Sequence, residues 1–199
     1  SCEGTMFDWS VIYFRDIVER NRLQNEEGLE QTFRVLASSM GATINPTKIA
    51  NTFKSVADVK MSANTVSKYI DHLKDAFMVS EAMRYDIKGR RYIGADSKYY
   101  FEDPGIRNAI LGFRQVENSH IMENVLYNEL RMRGYSVDVG VVLIAEKVND
   151  GKVVRKALEV DFVCNLGSAR YYIQSAYSLP DEAKRNQEIR PFRKIDDSF

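Results

Sequence analysis

Apolar residues recur at helical spacing through the first third of the chain and at strand spacing further on. Leu29, Phe33, Leu36, Ala37 and Met40 fall on one helical face, and Gly41 stops that helix. Asn45-Pro46 opens a second helix, a capping residue followed by proline at the first helical position, with Ile49, Ala50, Phe53 and Val56 as its apolar stripe. A third starts at Ser62 and carries Val66, Tyr69, Ile70, Leu73 and Phe77 on one side. Upstream, RDIVERNRLQ reads as a short helix and Asn25-Glu26-Glu27-Gly28 as a hinge.

After Phe77 the period changes. Met78 to Tyr85 and Tyr92 to Glu102 read as strands, joined by the charged loop Asp86-Ile87-Lys88-Gly89-Arg90-Arg91. Three short helices and a hairpin predict a winged helix. Asp103-Pro104-Gly105 opens a second region with a short helix at Ile106 to Phe113 and a longer one at Ile121 to Arg133, stopped by Gly134. Tyr135 to Glu146, Val153 to Cys164 and Arg170 to Tyr177 read as strands, with turns at Asn149-Asp150-Gly151 and Asn165-Leu166-Gly167. Asp181 to Ile195 reads as a charged helix. The expected fold is α/β, or α+β overall. Residues 1–24 form a connecting segment, 25–105 a winged-helix domain and 106–199 an α/β core that would be incomplete at its C-terminus.

Strict alternation puts Leu158, Val160 and Phe162 on one face of their strand and Glu159 and Asp161 on the other. On the next strand Tyr172, Gln174 and Ala176 share a face. Asp161 should therefore lie near Gln174, with Glu123 on the preceding helix able to reach the same edge. Aspartate inside a strand is disfavoured and asks for a reason, such as an ion pair or a site. Glu123 near a helix start is more simply read as a carboxylate favoured by the macrodipole, with a site role as the alternative.

A helix Glu, a strand Asp and then Glu-x-Lys resembles the arrangement of the PD-(D/E)XK nucleases, whose carboxylates hold Mg²⁺ and whose lysine steadies or deprotonates the attacking water. Here the acidic position is Gln174 and the lysine position is Ala176. Lys184 or Lys194 on the last helix could stand in for the missing base. KYYFEDPGIRNAILGFR, HIMENVLYNELRMRGYSVDVG, EVDFV and YYIQSAYSL, together with RDIVERN and TVSKYIDHLKDAFMV, resemble the C-terminal region of certain prokaryotic AAA-family ATP-binding proteins. That resemblance implies an N-terminal P-loop ATPase domain using ATP and Mg²⁺, then a winged helix, then a restriction-endonuclease-like domain. Carried over by position, Glu123 with Asn124 matches the helix motif, Asp161 the EVDFV aspartate, and Gln174 with Tyr177 the last strand. Glu123 and Asp161 are then the candidate Mg²⁺ ligands, and Glu123, Asp161 and Gln174 the vestigial catalytic set. No G-x-x-x-x-G-K-[ST] occurs, so ATP hydrolysis by this chain alone is not expected, and no cofactor is assigned to it.

Lys and Arg number 28 and Asp and Glu also 28, so no overall positive field draws the chain onto nucleic acid and any contact must be local. The third helix offers Asn64, Thr65, Lys68 and His72 off its apolar face, and the hairpin offers Arg84, Lys88, Arg90 and Arg91 as phosphate contacts. Asp71 and Asp75 on the same helix oppose that reading, and winged helices also dock proteins. Cys2 and Cys164 make no disulfide framework, and His72 and His120 have no partner at zinc-ligand spacing. With no secretory signal and no apolar run near the roughly 20 residues of a membrane span, the cytoplasm is the expected compartment. The function classes left open are a double-stranded DNA-binding module with a degenerate nuclease-like domain, a protein-interaction scaffold docked on the ATPase core or a partner, and a Mg²⁺-dependent nuclease with displaced catalytic residues.

Overall fold

The structure, a computed structural model, describes residues 14–23, 25–56, 60–114, 116–147 and 152–195. The turn expected at Asn149-Asp150-Gly151, Cys2 and the first part of the connecting segment lie outside the described residues, as does the Val56 side chain. Residues 14–21 are helical (α1). The helices α2 (Glu26–Ser38), α3 (Pro46–Val56) and α4 (Ala63–Asp75) follow, then the strands β1 (Val79–Asp86) and β2 (Arg91–Phe101). The helices α5 (Pro104–Ile110) and α6 (Asn118–Met132) precede β3 (Ser136–Lys147), β4 (Val153–Leu166) and β5 (Ala169–Ile173). The described residues close on α7 (Glu182–Ile189) and a 3₁₀ turn, Phe192–Lys194. This is a mixed α and β fold.

The described residues form two compact units, and the division falls inside the hairpin, not at Gly105. One unit runs through Glu81 and resumes over Lys98–Glu117; the other holds Ala82–Ser97 and everything from Asn118 on. Strands β1 and β2 thus begin and end in the first unit, while their distal halves belong to the second.

In the first unit local signals account for the helices. Asn25 accepts from the Gly28 N–H at 2.9 Å, Asn45 from Lys48 at 2.8 Å and Ser62 from Thr65 at 3.1 Å, each cap contributing about 1 kcal/mol. The expected hinge is therefore a helix start: Asn25 is the cap, and Glu26 and Glu27 occupy the first turn, where the macrodipole favours acids. Helix α4 packs against α2 and α3. Phe33 is fully buried and meets Phe14 and Phe101 edge-on, with ring centroids 5.2 and 5.1 Å away. Arg107 is buried and held by the Ala37 carbonyl at 2.9 Å.

The second unit is built on a five-stranded sheet of order β2-β1-β3-β4-β5. Strand β1 pairs parallel with β3, and β3, β4 and β5 pair antiparallel in succession. The hairpin is thus part of this sheet. Hydrophobic periodicity marks a strand but not the neighbour that will saturate its open edge. Helix α6 packs on β3 and β4, with Tyr127 against Phe162 at 6.3 Å. Ile87, Val142, Val160 and Val163 form a buried cluster, covered by Tyr172, Phe192 and Ile195 among others.

Two strand expectations change. Asp138 pairs with Val163 and Gly140 with Val160, so Asp161 and Phe162 together oppose Val139. This β-bulge explains how Val160 and Val163, three residues apart, sit in one cluster, which strict alternation forbids. Strand β5 ends at Ile173, leaving Gln174, Ala176 and Tyr177 beyond its ladder. The last helix is also shorter than expected. Pro191 has no N–H to give and its ring crowds the preceding turn, so α7 stops and the chain tightens into 3₁₀.

Candidate nucleic-acid interface

The basic tip of the hairpin is built by its own turn. Asp86 is buried and its Oδ1 accepts from the Gly89 N–H at 3.0 Å, while the Ile87 N–H donates to the Val141 carbonyl at 3.0 Å. Asp86 crowds the place a Cβ would take on residue 89, which is why glycine stands there. Lys88, Arg90 and Arg91 are all exposed, and among the described residues neither Lys88 nor Arg91 is in an ion pair. Arg84 is half-buried on β1.

Next along β2, Tyr92 is 55% exposed yet fixed at its far end, since its hydroxyl donates to Asp138 Oδ2 at 3.1 Å. Its ring meets Tyr85 edge-on at 5.5 Å, and the Arg170 guanidinium lies 5.3 Å from the centre of the Tyr85 ring. Arg170 Nε in turn donates to Asn165 Oδ1 at 2.8 Å. Asp138 is buried, and burial pushes its carboxyl above the usual range while the Tyr92 hydrogen bond pulls the other way. Burial, and then the Asp138 charge, raise the Tyr92 phenol. Cys164 is wholly buried, its thiol pushed up to about 11 by burial with the Asp138 charge adding to the effect.

In the other unit, Asn64 and Lys68 stand exposed on α4 and Thr65 and His72 are half-buried. The Thr65 hydroxyl lies 2.9 Å from that of Ser62 and so is engaged in the cap. Lys74 holds Glu81 at 2.6 Å and Asp71 at 3.9 Å, which removes part of the acid charge that opposes a polyanion.

The structure joins Asp161 and Gln174. Gln174 Oε1 accepts from the Asp161 N–H at 3.3 Å, and Asp161 Oδ2 accepts from the Ser175 N–H at 2.8 Å. Side chains thereby continue the β4–β5 pairing past the end of the ladder. Gln174 Nε2 also donates to Glu188 Oε2 at 3.0 Å, and Lys184 pairs with Glu188 at 2.5 Å, so α7 is tied to the same clamp. Glu123 is buried on α6, one turn before the Tyr127 that meets β4. These donors do not fit a Mg²⁺ site: one Asp161 oxygen is taken by backbone, the amide oxygen is taken too, and Lys184 meets Glu188 rather than Asp161. Among the described residues no three His, Cys, Asp or Glu side chains are grouped to hold a metal.

Sequence reasoning missed Tyr92, Asp138, Arg170 and Glu188. Only Asp138 carried a signal, an acid between Val137 and Val139 on an apolar strand, the same anomaly that drew attention to Asp161.

A family model described as a domain of unknown function (DUF8612) matches residues 9–117. The chain is 33% identical over 178 residues to an uncharacterised protein of Haemophilus influenzae, a match covering 89% of this chain and 41% of that protein. It is 30% identical over 183 residues to an uncharacterised protein of Methanocaldococcus jannaschii, covering 92% of this chain and 38% of that protein. The chain therefore spans less than half the length of these curated relatives. No solved structure matches it. Among the described residues no helix is long and apolar enough to cross a membrane.

Proposed function

We propose that this chain, which belongs to the DUF8612 family of domains of unknown function, is the nucleic-acid-binding part of a larger cytoplasmic AAA-type ATPase. The observation that carries the reading is the hairpin tip: Lys88, Arg90 and Arg91 are exposed side by side, with Lys88 and Arg91 outside any ion pair among the described residues, on a chain of zero net charge. A local cluster of exposed cations can contact phosphates and needs no overall positive field. Helix α4 lies in the other unit; read by itself as the recognition helix of a winged-helix plan, it carries exposed Asn64 and Lys68 and half-buried His72.

In this reading the second unit is a restriction-endonuclease-like domain without catalysis. Its Asp161 and Gln174 brace strand ends to each other and to α7, where the nuclease pattern would have metal and lysine. ATP and Mg²⁺ are handled by a P-loop domain of the parent protein. The resemblance to AAA-family ATP-binding proteins implies such a domain, and the relatives have more than half their length outside the match.

The test is titration of labelled duplex DNA at several salt concentrations. Affinity should fall steeply with salt, with a log–log slope of about 0.9 for each phosphate that the protein neutralises. Binding that is absent for duplex and single strand alike, or indifferent to salt, removes the reading in favour of a docking scaffold for the ATPase core or a partner protein.

A further inference from the structure

We infer that Tyr92 is a stacking platform for an unpaired base, so that the hairpin tip takes single-stranded nucleic acid in preference to an intact duplex. The inference rests on the nucleic-acid reading and names the substrate class of the tip.

Its basis is an aromatic side chain that is both exposed and immobilised. A tyrosine 55% open to water would ordinarily sample several rotamers. Tyr92 is held instead at two points, its hydroxyl by Asp138 at 3.1 Å and its ring by the edge contact with Tyr85 at 5.5 Å. The anchor is itself buried, since Asp138 is only 6% exposed. Arg170, with its guanidinium 5.3 Å from the centre of the Tyr85 ring, steadies that second aromatic. A ring ordered before binding loses little entropy when a base settles on it.

Charge complementarity selects the occupant. Arg91 precedes Tyr92 directly, and Lys88 stands exposed in the turn that leads to them. A cationic turn beside a fixed aromatic face suits a strand whose phosphates lie on the turn and whose base lies on the ring. A duplex hides its base faces in the stack, so it can use the cations but not Tyr92.

The experiment measures binding of labelled oligothymidylate, blunt duplex DNA and an abasic deoxyribose-phosphate strand of equal length. Wild-type protein should bind oligothymidylate about tenfold more tightly than the abasic strand. Tyr92→Leu should abolish that difference and leave duplex affinity within about twofold, and Tyr92→Phe, which keeps the ring, should retain most of it. Equal wild-type affinity for thymidylate and abasic strands overturns the platform without relying on any variant. So does a Tyr92→Leu protein that loses thymidylate and duplex affinity alike. Lys88→Ala with Arg91→Ala separates the two levels: weakened binding to all three ligands keeps the nucleic-acid reading even where the platform fails. Wild-type protein that binds none of them overturns both.

Discussion

Tyr92 on β2 and Asp138 on β3 lie 46 positions apart in sequence and meet in a 3.1 Å hydrogen bond across β1, which separates their strands in the sheet. An exposed ring and a buried carboxylate thus determine each other. Among the described residues the phenol is the side-chain donor placed on the acid, and the acid is what keeps the ring still.

That pair makes stability depend on pH. Burial raises the Asp138 carboxyl above 3.8, so the folded state holds its proton more tightly than the unfolded chain does. The contribution is fully present below the unfolded value and is lost as pH rises through the folded one. Urea midpoints of wild type and Asp138→Asn, compared from acid pH to neutrality, should show the wild type losing stability relative to the variant as pH rises. A difference constant with pH would remove the buried carboxylate from this account.

Alanine at Lys88, Arg90 and Arg91 together should weaken binding to every duplex sequence alike and lower the salt slope by about one to three. Fluorescence anisotropy over a salt series reads both quantities. Weakening confined to one DNA sequence would instead mean that the tip reads bases.

Removing the Asp161 side chain should destabilise the protein by about 1–3 kcal/mol, because the Ser175 N–H is left without its acceptor. Asp161→Asn keeps an acceptor oxygen and should cost about 1 kcal/mol or less. Chemical unfolding of the two variants distinguishes a clamp from a metal ligand. In parallel, duplex DNA incubated with Mg²⁺ or Mn²⁺ should survive intact. Cleavage present in wild type and absent in Asp161→Ala would restore the nuclease reading.

Gly140→Ala probes the bulge. A Cβ there would sit 2.8 Å from Val163 Cγ2, 2.9 Å from Val160 Cβ and 3.0 Å from Ile87 Cδ1. Overpacking of this kind should cost about 1–3 kcal/mol. Gly167→Ala, in a turn with φ +59° and nothing within 4 Å, should cost only about 1 kcal/mol of backbone strain. Thermal melts that rank the two the other way would contradict the packing described at β3 and β4.

Much of the candidate interface was legible beforehand. Lys88, Arg90 and Arg91 were expected in a turn, and turns are exposed because their backbone needs water. The meeting of Asp161 with Gln174 was also expected, though alternation alone gave it a different geometry. The bulge and the early end of β5 convert that pair from a candidate metal edge into reciprocal hydrogen bonds with backbone. Neither feature has a mark in the sequence, because an extra residue in a ladder shows only against its partner strand.

By itself the sequence determined where α2, α3, α4 and α5 begin, since Asn25, Asn45, Ser62 and Asp103 cap within three residues of themselves. It marked where the strands run, because their apolar period is local, but not the bulge or the end of β5. Only the tertiary structure decided that β1 lends its free edge to β3, that Val160 and Val163 share a face, and that Asp138 finds Tyr92. Those outcomes come from burial summed over segments far apart in the chain, where several pairings satisfy the same local pattern and only the assembled core selects among them.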